Sequence, residues 1–309
     1  MRSSMASSSP PAQARSRHVL ALFGPTASGK TAVAGLLRER LDAEVVSADS
    51  AALYQGLPVI TAAPGYPARL VGIVSLGDDV SVGEYQRLAH EAIDECAVPL
   101  VVGGTGLYFR AALSALELPP PAPSERRAFW QGEYDRLGPA AAHAVLAARD
   151  AAAATRVHAN DRKRVVRALE LAESGHSLAP PEDRLWTADT RLPTTIVALD
   201  VPLEELDRRI AERTRAMAAA GAADEARRAW EGPLSETARK VLGLEQFATL
   251  SEDDAVAAVT AATRRLARYQ RKWLRRFRGA VRVDGNRAPS EVAGEIVALG
   301  RERQRLPGH

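Results

Sequence analysis

The chain has 309 residues, of which 46% are hydrophobic and 26% are charged, and its formal net charge is +3. This length and balance are typical of a soluble globular protein with a full hydrophobic core, and they exclude a disordered or fibrous chain. The single cysteine, Cys96, excludes an internal disulfide and a cysteine-rich zinc site, and no apolar run reaches the roughly 20 residues of a membrane helix, so we expect a cytoplasmic protein with no membrane partner.

The chain begins with a segment of Ser, Pro and Arg, residues 1–17, that has no hydrophobic periodicity. We expect a disordered tail there, because the segment has neither a secretory apolar region nor the amphipathic face of a transit peptide. Residues 301–309 are expected to form a second tail.

Short apolar runs that end in polar or glycine-rich residues predict the strands of a parallel sheet. The first run, "HVLALF" (18–23), leads into a glycine loop, and further strands are expected at 43–50, 98–109, 194–202 and 280–285. Helical patterns separate these runs, as at 82–96 and 203–219. This alternation predicts an α/β fold, a P-loop doubly wound parallel sheet. In such sheets ligands bind at the carboxyl ends of the strands.

Proline-rich segments enclose a region of different character, residues 119–192. It begins with "LPPPAPSERR", continues with Ala-rich helical sequence and ends with "LAPPEDRLWTADTRLP". Proline-rich boundaries around helices predict an inserted helical subdomain. The catalytic core is then expected to consist of residues 18–118 and 193–300.

The segment "GPTASGKT" matches the phosphate-binding pattern G-x-x-x-x-G-K-[ST] in full. Because a strand precedes it and a helix follows it, the N–H groups of the loop and the helix N-terminus face the same anion. The lysine of the pattern adds a positive charge, and the hydroxyl of its last residue can hold Mg²⁺. The predicted phosphate-binding residues are Gly24, Pro25, Thr26, Ala27, Ser28, Gly29, Lys30 and Thr31.

The loop does not by itself identify the reaction. ATPases and GTPases usually carry a second apolar strand that ends in an acidic residue and holds the metal ion, whereas here the run "PLVV" ends in Gly-Gly-Thr. This disfavours a hydrolase. Asp49 ends the second predicted strand, so we expect it to face the loop, where it can accept a proton or hold a metal ion. The alternative is that Asp49 or Ser50 is the N-cap of a helix.

Five segments occur in the order seen in tRNA dimethylallyltransferases, and this sequence resembles that family over about residues 18–285. The segments are "GPTASGKT", "SADSAALYQGLPVITAAP", "VVGGTGLYF", "ATRVHANDRKRVVRALE" and "ATRRLARYQRKWLRRF". The resemblance implies that dimethylallyl diphosphate binds in the loop. The N6 amine of adenosine 37, next to the tRNA anticodon, then attacks C1 of the prenyl chain, and diphosphate leaves with Mg²⁺.

The resemblance also implies roles for individual residues. Asp49 matches the general base, and Thr105 matches the threonine of GGTG that positions the reacting groups. Lys30 and the loop amides stabilise the charge of the departing diphosphate. Arg213, in "RRIAERTRAM", is the candidate for an arginine that contacts phosphate. A solvated helix charge is the alternative for this residue.

A strongly basic helix is predicted at 254–278. Its apolar face consists of Val259, Leu266, Trp273 and Phe277. The opposite face carries the cations Arg264, Arg265, Arg268, Arg271, Lys272, Arg275, Arg276 and Arg278. No acidic residue interrupts 264–278, and a helix face that carries only positive charges predicts contact with nucleic-acid phosphates.

The expected macromolecular partner is the anticodon stem-loop of tRNA, bound by a monomer of this protein. The resemblance implies RNA contacts after the second strand, in the insertion and along the basic helix. The matching residues are Asp49, Ser50, Ala51, Ala52, Arg126, Asn160, Asp161, Arg162, Lys163, Arg164, Lys240, Arg268, Gln270, Arg271, Lys272 and Arg275. A helix N-cap is the alternative role for Asn160 or Asp161.

Most departures from the family pattern lie in segments on the acceptor side. Ile60 and Ala63 stand where a Gly and a Lys are usual, and Ala68 and Gly72 stand where a His and an Asp are usual. Two other functions therefore stay open. One is prenyl transfer to a free adenine nucleotide or another small amine, and the other is a P-loop kinase or NTPase.

Overall fold

The computed structural model describes residues 18–119, 122–179, 187–277 and 279–302. It contains a parallel sheet with the strands β1 (Val19–Phe23), β2 (Glu44–Ala48), β3 (Ala68–Arg69), β4 (Pro99–Gly103), β5 (Thr194–Asp200) and β6 (Val281–Asp284). The strand order is β3-β2-β4-β1-β5-β6, and every pairing is parallel. The expected doubly wound α/β fold is therefore confirmed.

Helices cover both faces of the sheet, which explains why its strands are apolar runs without alternation. Residues 19, 21 and 23 of β1 pack toward α3 (Val82–Glu95) and α4 (Gly106–Leu113). Residues 20 and 22 pack toward α1 (Lys30–Leu41) and α13 (Pro289–Glu302). Within the described residues, no helix is both long enough and apolar enough to cross a membrane.

The structure differs from the strand and tail predictions in three details. The run 98–109 is a strand only as far as Gly103, because α4 begins at Gly106. The edge strand β3 was not expected, since two residues are too short to show a period. Residues 1–17 and 303–309 lie outside the described part of the chain, but the tail expected from residue 301 begins inside α13, which continues to Glu302.

The inserted region contains four helices with a core of their own. These are α5 (Ser124–Leu137), α6 (Pro139–Arg149), α7 (Ala151–Arg156) and α8 (Arg162–Glu173). Buried side chains from all four helices, including Trp130, Leu146, Ala153 and Val165, form this cluster. Residues 120–121 and 180–186 are not described, so the proline-rich boundaries of the expected subdomain lie partly outside the described residues.

A further layer of helices packs beyond the carboxyl edge of the sheet. It contains α2 (Pro58–Thr61), α9 (Leu203–Ala219), α10 (Ala222–Trp230), α11 (Leu244–Thr249) and α12 (Glu252–Leu274). Ile60, Met217, Phe247 and Val259 are buried at the centre of this layer. The Ser251 hydroxyl accepts the Asp254 N–H and starts α12, so the basic helix begins two residues earlier and ends four residues earlier than expected.

Gly106 begins α4 directly against the indole of Trp273, and a Cβ at this position would lie 1.9 Å from a ring atom. We expect Gly106→Ala to lower the free energy of unfolding by about 1–3 kcal/mol, because overpacking forces the indole or the helix to move. Urea unfolding followed by circular dichroism measures this loss. The matched control is Gly132→Ala in α5, where an added Cβ meets nothing within 4 Å; a loss of similar size there would contradict the packing explanation.

Candidate active site

The segment between β1 and α1 forms a tight loop with its backbone turned inward. Ala27 has φ 65° and Gly29 has φ 88°, so both residues are in the left-handed region. An alanine in this region is strained, and such strain is found mainly at functional sites. The Ser28 hydroxyl is buried and has no hydrogen-bond partner among the described residues. A buried polar group without a partner, at the N-terminus of α1, indicates a site for an anionic ligand.

Glycines allow the ends of β2, β4 and β1 to meet beside this loop. A Cβ on Gly103 would lie 2.4 Å from the Ala48 oxygen, and a Cβ on Gly104 would lie 2.8 Å from the Gly24 oxygen. The Gly24 N–H donates to the Gly103 oxygen at 3.2 Å. An acidic side chain does not fit at residue 103 or 104. P-loop hydrolases use an acidic residue at the end of the corresponding strand to hold the metal ion, and this protein has no room for one there.

Three charged side chains from distant parts of the sequence share the space next to the loop. Burial lowers the pKa of Lys30 to about 8, Asp49 opposes this shift, and Arg213 adds to it. Burial also lowers the pKa of Arg213, again opposed by Asp49. The Lys30 ammonium donates to the Pro25 oxygen at 2.8 Å, and the Arg213 guanidinium donates to the Thr61 oxygen at 3.5 Å. Arg213 is half-buried and its charge acts on Asp49 and Lys30, which disfavours the alternative of a solvated helix charge.

Asp49 and Thr105 both have side-chain atoms that local structure leaves available. Asp49 Oδ1 accepts the Ala51 N–H at 3.0 Å, which closes a turn. The next helix, α2, has Leu57 as its N-cap, so the N-cap alternative for Asp49 or Ser50 is not what the structure shows. Thr105 is the N-cap residue of α4, yet its side chain makes no capping hydrogen bond. The second carboxylate oxygen of Asp49 and the Thr105 hydroxyl are thus available to a ligand.

Two tyrosines next to Asp49 were not expected from the sequence. The rings of Tyr85 and Tyr108 lie 4.6 Å apart between centroids, and the Tyr85 hydroxyl donates to the Ser47 oxygen at 2.9 Å. Burial, Tyr54 and Asp49 together raise the pKa of Tyr108 to about 12, so its hydroxyl stays protonated. Tyr108 follows the GGTG segment and was within reach of sequence reasoning, whereas Tyr85 had no motif to mark it.

Thr31, the predicted metal ligand, is exposed in the first turn of α1. No group of three or more His, Cys, Asp or Glu residues able to hold a metal ion occurs in the described ranges. Mg²⁺ usually keeps several waters and binds through one or two protein ligands together with substrate phosphates. The hydroxyl of Thr31 fits a magnesium ion shared with a bound phosphate group.

The cations of α12 divide into paired and unpaired sets. Asp207 of α9 pairs with Arg264 at 3.7 Å and with Arg268 at 3.0 Å, and Asp200 at the end of β5 pairs with Arg271 at 3.3 Å. Along the same helix and at its end, the exposed side chains without an ion pair among the described residues are Arg265, Lys272 and Arg275. Arg278 lies outside the described residues. The set of cations on α12 that have no ion pair among the described residues is therefore smaller than the composition of the helix implies.

Gln270, expected to contact RNA, is instead buried on the inner side of α12, with only 4% of its surface exposed. Its Oε1 accepts the N–H of Thr26 in the phosphate loop at 2.7 Å. Ala52, from the segment after β2, is also buried, whereas Ser50 and Ala51 are half-buried. The structure thus brings Gln270 to the phosphate loop and not to the surface.

The expected RNA residues of the insertion lie at the start of α8 and on α5. Asp161 is the N-cap of α8 and accepts the Arg164 N–H at 3.2 Å, so the capping alternative is observed. Arg162 binds both carboxylate oxygens of Asp135 at 2.8 and 2.6 Å. Asn160 and Lys163 are exposed, and Arg126 pairs with Glu173. Lys240, which lies outside the insertion, pairs with Glu236 at 2.5 Å.

The chain matches the model described as IPP transferase over residues 52–277. A tRNA dimethylallyltransferase of Anaeromyxobacter dehalogenans is 40% identical over 292 residues, which are 88% of this chain and 97% of that relative. A tRNA dimethylallyltransferase of Streptomyces avermitilis is 41% identical over 288 residues, which are 87% of this chain and 90% of that relative.

Solved structures show the same architecture. The tRNA isopentenylpyrophosphate transferase of Bacillus halodurans matches with a TM-score of 0.65 and 26% identity, over 93% of this chain and 98% of that chain. A eukaryotic dimethylallyltransferase acting on tRNA matches with a TM-score of 0.75 at 20% identity, over 95% of this chain and 81% of that chain, and so shares the fold. With 40% identity to relatives that it spans almost completely, and with a family model that covers most of its length, the chain belongs to the IPP transferase family.

Proposed function

We propose that this protein transfers a dimethylallyl group from dimethylallyl diphosphate to N6 of adenosine 37, next to the anticodon of tRNA, and releases diphosphate. The observation that carries this proposal is the group of half-buried, mutually interacting charges of Lys30, Asp49 and Arg213 beside a phosphate loop whose neighbouring strand ends in glycine. A carboxylate next to two cations suits a reaction in which one group takes up a proton and another leaves as an anion.

The loop side of the site binds the diphosphate. The Ser28 hydroxyl, the N-terminal amides of α1 and the Lys30 ammonium face the charge that develops as the leaving group departs. The Arg213 guanidinium, whose charge acts on both Lys30 and Asp49, adds a second cation on this side of the site. Mg²⁺, held by Thr31 and the diphosphate oxygens, would add positive charge to the leaving group. These groups favour cleavage of the bond between C1 and its oxygen.

The Asp49 side of the site receives the adenine. A bond forms between N6 and C1 as the C1–O bond breaks, and the electron pair of that bond leaves with the diphosphate. The proton of the attacking amine passes to the Asp49 carboxylate, whose Oδ1 is oriented by the Ala51 N–H. The Thr105 hydroxyl, which makes no capping hydrogen bond, orients the reacting groups between Asp49 and the loop.

A large acceptor accounts for features that a small amine does not require. Unpaired cations on α12 and the helical insertion, residues 119–192, offer surfaces on which an RNA strand can be bound on both sides of the reacting base. Removing a base from its stack costs a few kcal/mol, which such contacts offset. We therefore propose that the insertion is a tRNA-contacting subdomain of the enzyme.

Incubation of the purified protein with labelled dimethylallyl diphosphate and unmodified tRNA tests the function. We expect label in the RNA at adenosine 37 and none in a tRNA that carries guanosine there. A parallel reaction with AMP identifies a small-molecule acceptor. Label in AMP alone would show that the acceptor is a small molecule and not tRNA. Rapid ATP hydrolysis without any prenyl transfer would show that the enzyme is a hydrolase and not a prenyltransferase.

The pKa of Lys30 predicts how donor binding depends on pH. Lys30 loses its charge as the pH rises through about 8, and a bound diphosphate favours the charged form, so binding above this pH takes up a proton. We expect the affinity for inorganic diphosphate, measured by calorimetry, to show no Lys30-dependent change below pH 8. Above pH 8 it should fall by up to about tenfold per pH unit. The Lys30→Met variant shows how much of the pH dependence comes from titration of the diphosphate itself. If diphosphate affinity depended on pH in the same way for the wild type and the variant, the pH dependence could not be assigned to Lys30.

A further inference from the structure

Helix α12 has a cationic side that faces solvent and an inner side that faces the phosphate loop. The exposed cations Arg265, Lys272 and Arg275 lie on the outside. Gln270 lies on the inside, where an amide is costly to bury unless its polar atoms are bonded. The burial of a glutamine within a strongly cationic helix therefore points to a specific partner on the inner side.

The partner of Gln270 is the junction between the phosphate loop and the turn that follows β4. Its Oε1 accepts the Thr26 N–H at 2.7 Å. Its Nε2 lies over Gly104, 2.9 Å from the point that a Cβ on this glycine would occupy. The Lys30 ammonium lies 3.4 Å from the same point. One side-chain amide thus touches the loop and the residue before Thr105, close to the ammonium that faces the leaving group.

We propose that Gln270 is a positioning residue that sets the conformation of the phosphate loop relative to the Gly104–Thr105 turn, and that it does not contact RNA. The loop needs such support because Ala27 is held at φ 65°, and strained backbone persists only where its surroundings hold it in place. Through this contact Gln270 acts on the diphosphate indirectly. The inference deepens the proposed function, on which its catalytic consequence rests.

The test is Gln270→Leu, which removes both polar atoms at similar volume. We expect the affinity for inorganic diphosphate, measured by calorimetry, to fall at least tenfold, and kcat/KM for dimethylallyl diphosphate to fall with it. The tRNA dissociation constant, measured by filter binding, should stay within twofold of the wild type. Weaker tRNA binding by the folded variant, or an unchanged affinity for diphosphate, would overturn the proposal.

Gln270→Glu keeps the test decisive if the leucine variant does not fold. A carboxylate still accepts the Thr26 N–H but places a negative charge where the Nε2 amide stood, so diphosphate affinity should again fall at least tenfold. Repulsion of RNA phosphates would instead weaken tRNA binding if Gln270 contacted RNA, and that result would overturn the proposal.

Arg275→Ala is the matched control on the outer side of the same chain segment. It should weaken tRNA binding and reduce the magnitude of the salt slope by about one unit, while diphosphate affinity stays within twofold. Calorimetry with inorganic diphosphate involves neither RNA nor a prenyl group. Failure of the proposed function would appear separately, as absence of transfer to tRNA by the wild-type enzyme.

Discussion

Replacing Asp49 with Asn is expected to lower kcat for prenyl transfer to tRNA by roughly 10²–10⁴-fold, the usual contribution of a general base. The Asn Oδ1 still accepts the Ala51 N–H that Asp49 Oδ1 accepts at 3.0 Å, so the turn is preserved while the proton acceptor is lost. Donor binding should be unchanged or tighter, because the variant removes a negative charge beside Lys30. Single-turnover transfer and calorimetry with inorganic diphosphate measure the two effects.

Asp78→Asn is the matched control, because this carboxylate is exposed on the surface. Its transfer rate should equal that of the wild type. Full turnover by Asp49→Asn would remove Asp49 from the role of base, and loss of diphosphate binding by the same variant would assign it to the donor side.

Replacing Lys30 with Met is expected to reduce kcat/KM for dimethylallyl diphosphate by roughly 10²–10³-fold, as for the loss of one preorganised donor to a developing anion. Methionine retains much of the aliphatic volume of lysine but has no charge to offer the departing diphosphate. The effect is large because Lys30 is half-buried and its ammonium is held at the loop by the Pro25 oxygen at 2.8 Å, so the charge is already in place when the diphosphate departs. Steady-state kinetics with tRNA as acceptor, together with binding of inorganic diphosphate, measure it.

Lys163→Met provides the comparison, since Lys163 is exposed near the start of α8, in the insertion. That variant should bind inorganic diphosphate as the wild type does. A Lys30→Met enzyme with wild-type donor kinetics would mean that the loop holds the diphosphate through its amides alone.

The sequence was sufficient to predict the phosphate loop and the sheet around it. Both follow from local rules, since the loop requires glycines at set spacing and a strand buried on both faces is a continuous apolar run. Parallel strands end at one edge, so the positions of Gly24, Asp49 and Thr105 along the chain predict that they lie together at that edge. The physical reason for the glycines at the end of β4 and directly after it is visible only in the fold, because Ala48 leaves no room for a Cβ at Gly103 and Gly24 leaves none at Gly104.

The sequence did not show which parts of the protein pack against each face of α12. Periodicity shows which residues share a face of α12, but not what packs against it. Asp207 and Asp200 neutralise Arg264, Arg268 and Arg271 from other elements, and these partners stand more than 50 positions away along the chain.

The sequence by itself determined the strand–helix order, the phosphate loop and the location of the site at the carboxyl edge, because these depend on neighbouring residues and on the direction of parallel strands. Only the tertiary structure decided that Arg213 meets Lys30 and Asp49, and that Gln270 turns toward the loop. The physical reason is that burial, charge coupling and hydrogen bonding between distant segments arise from packing, which no local pattern encodes.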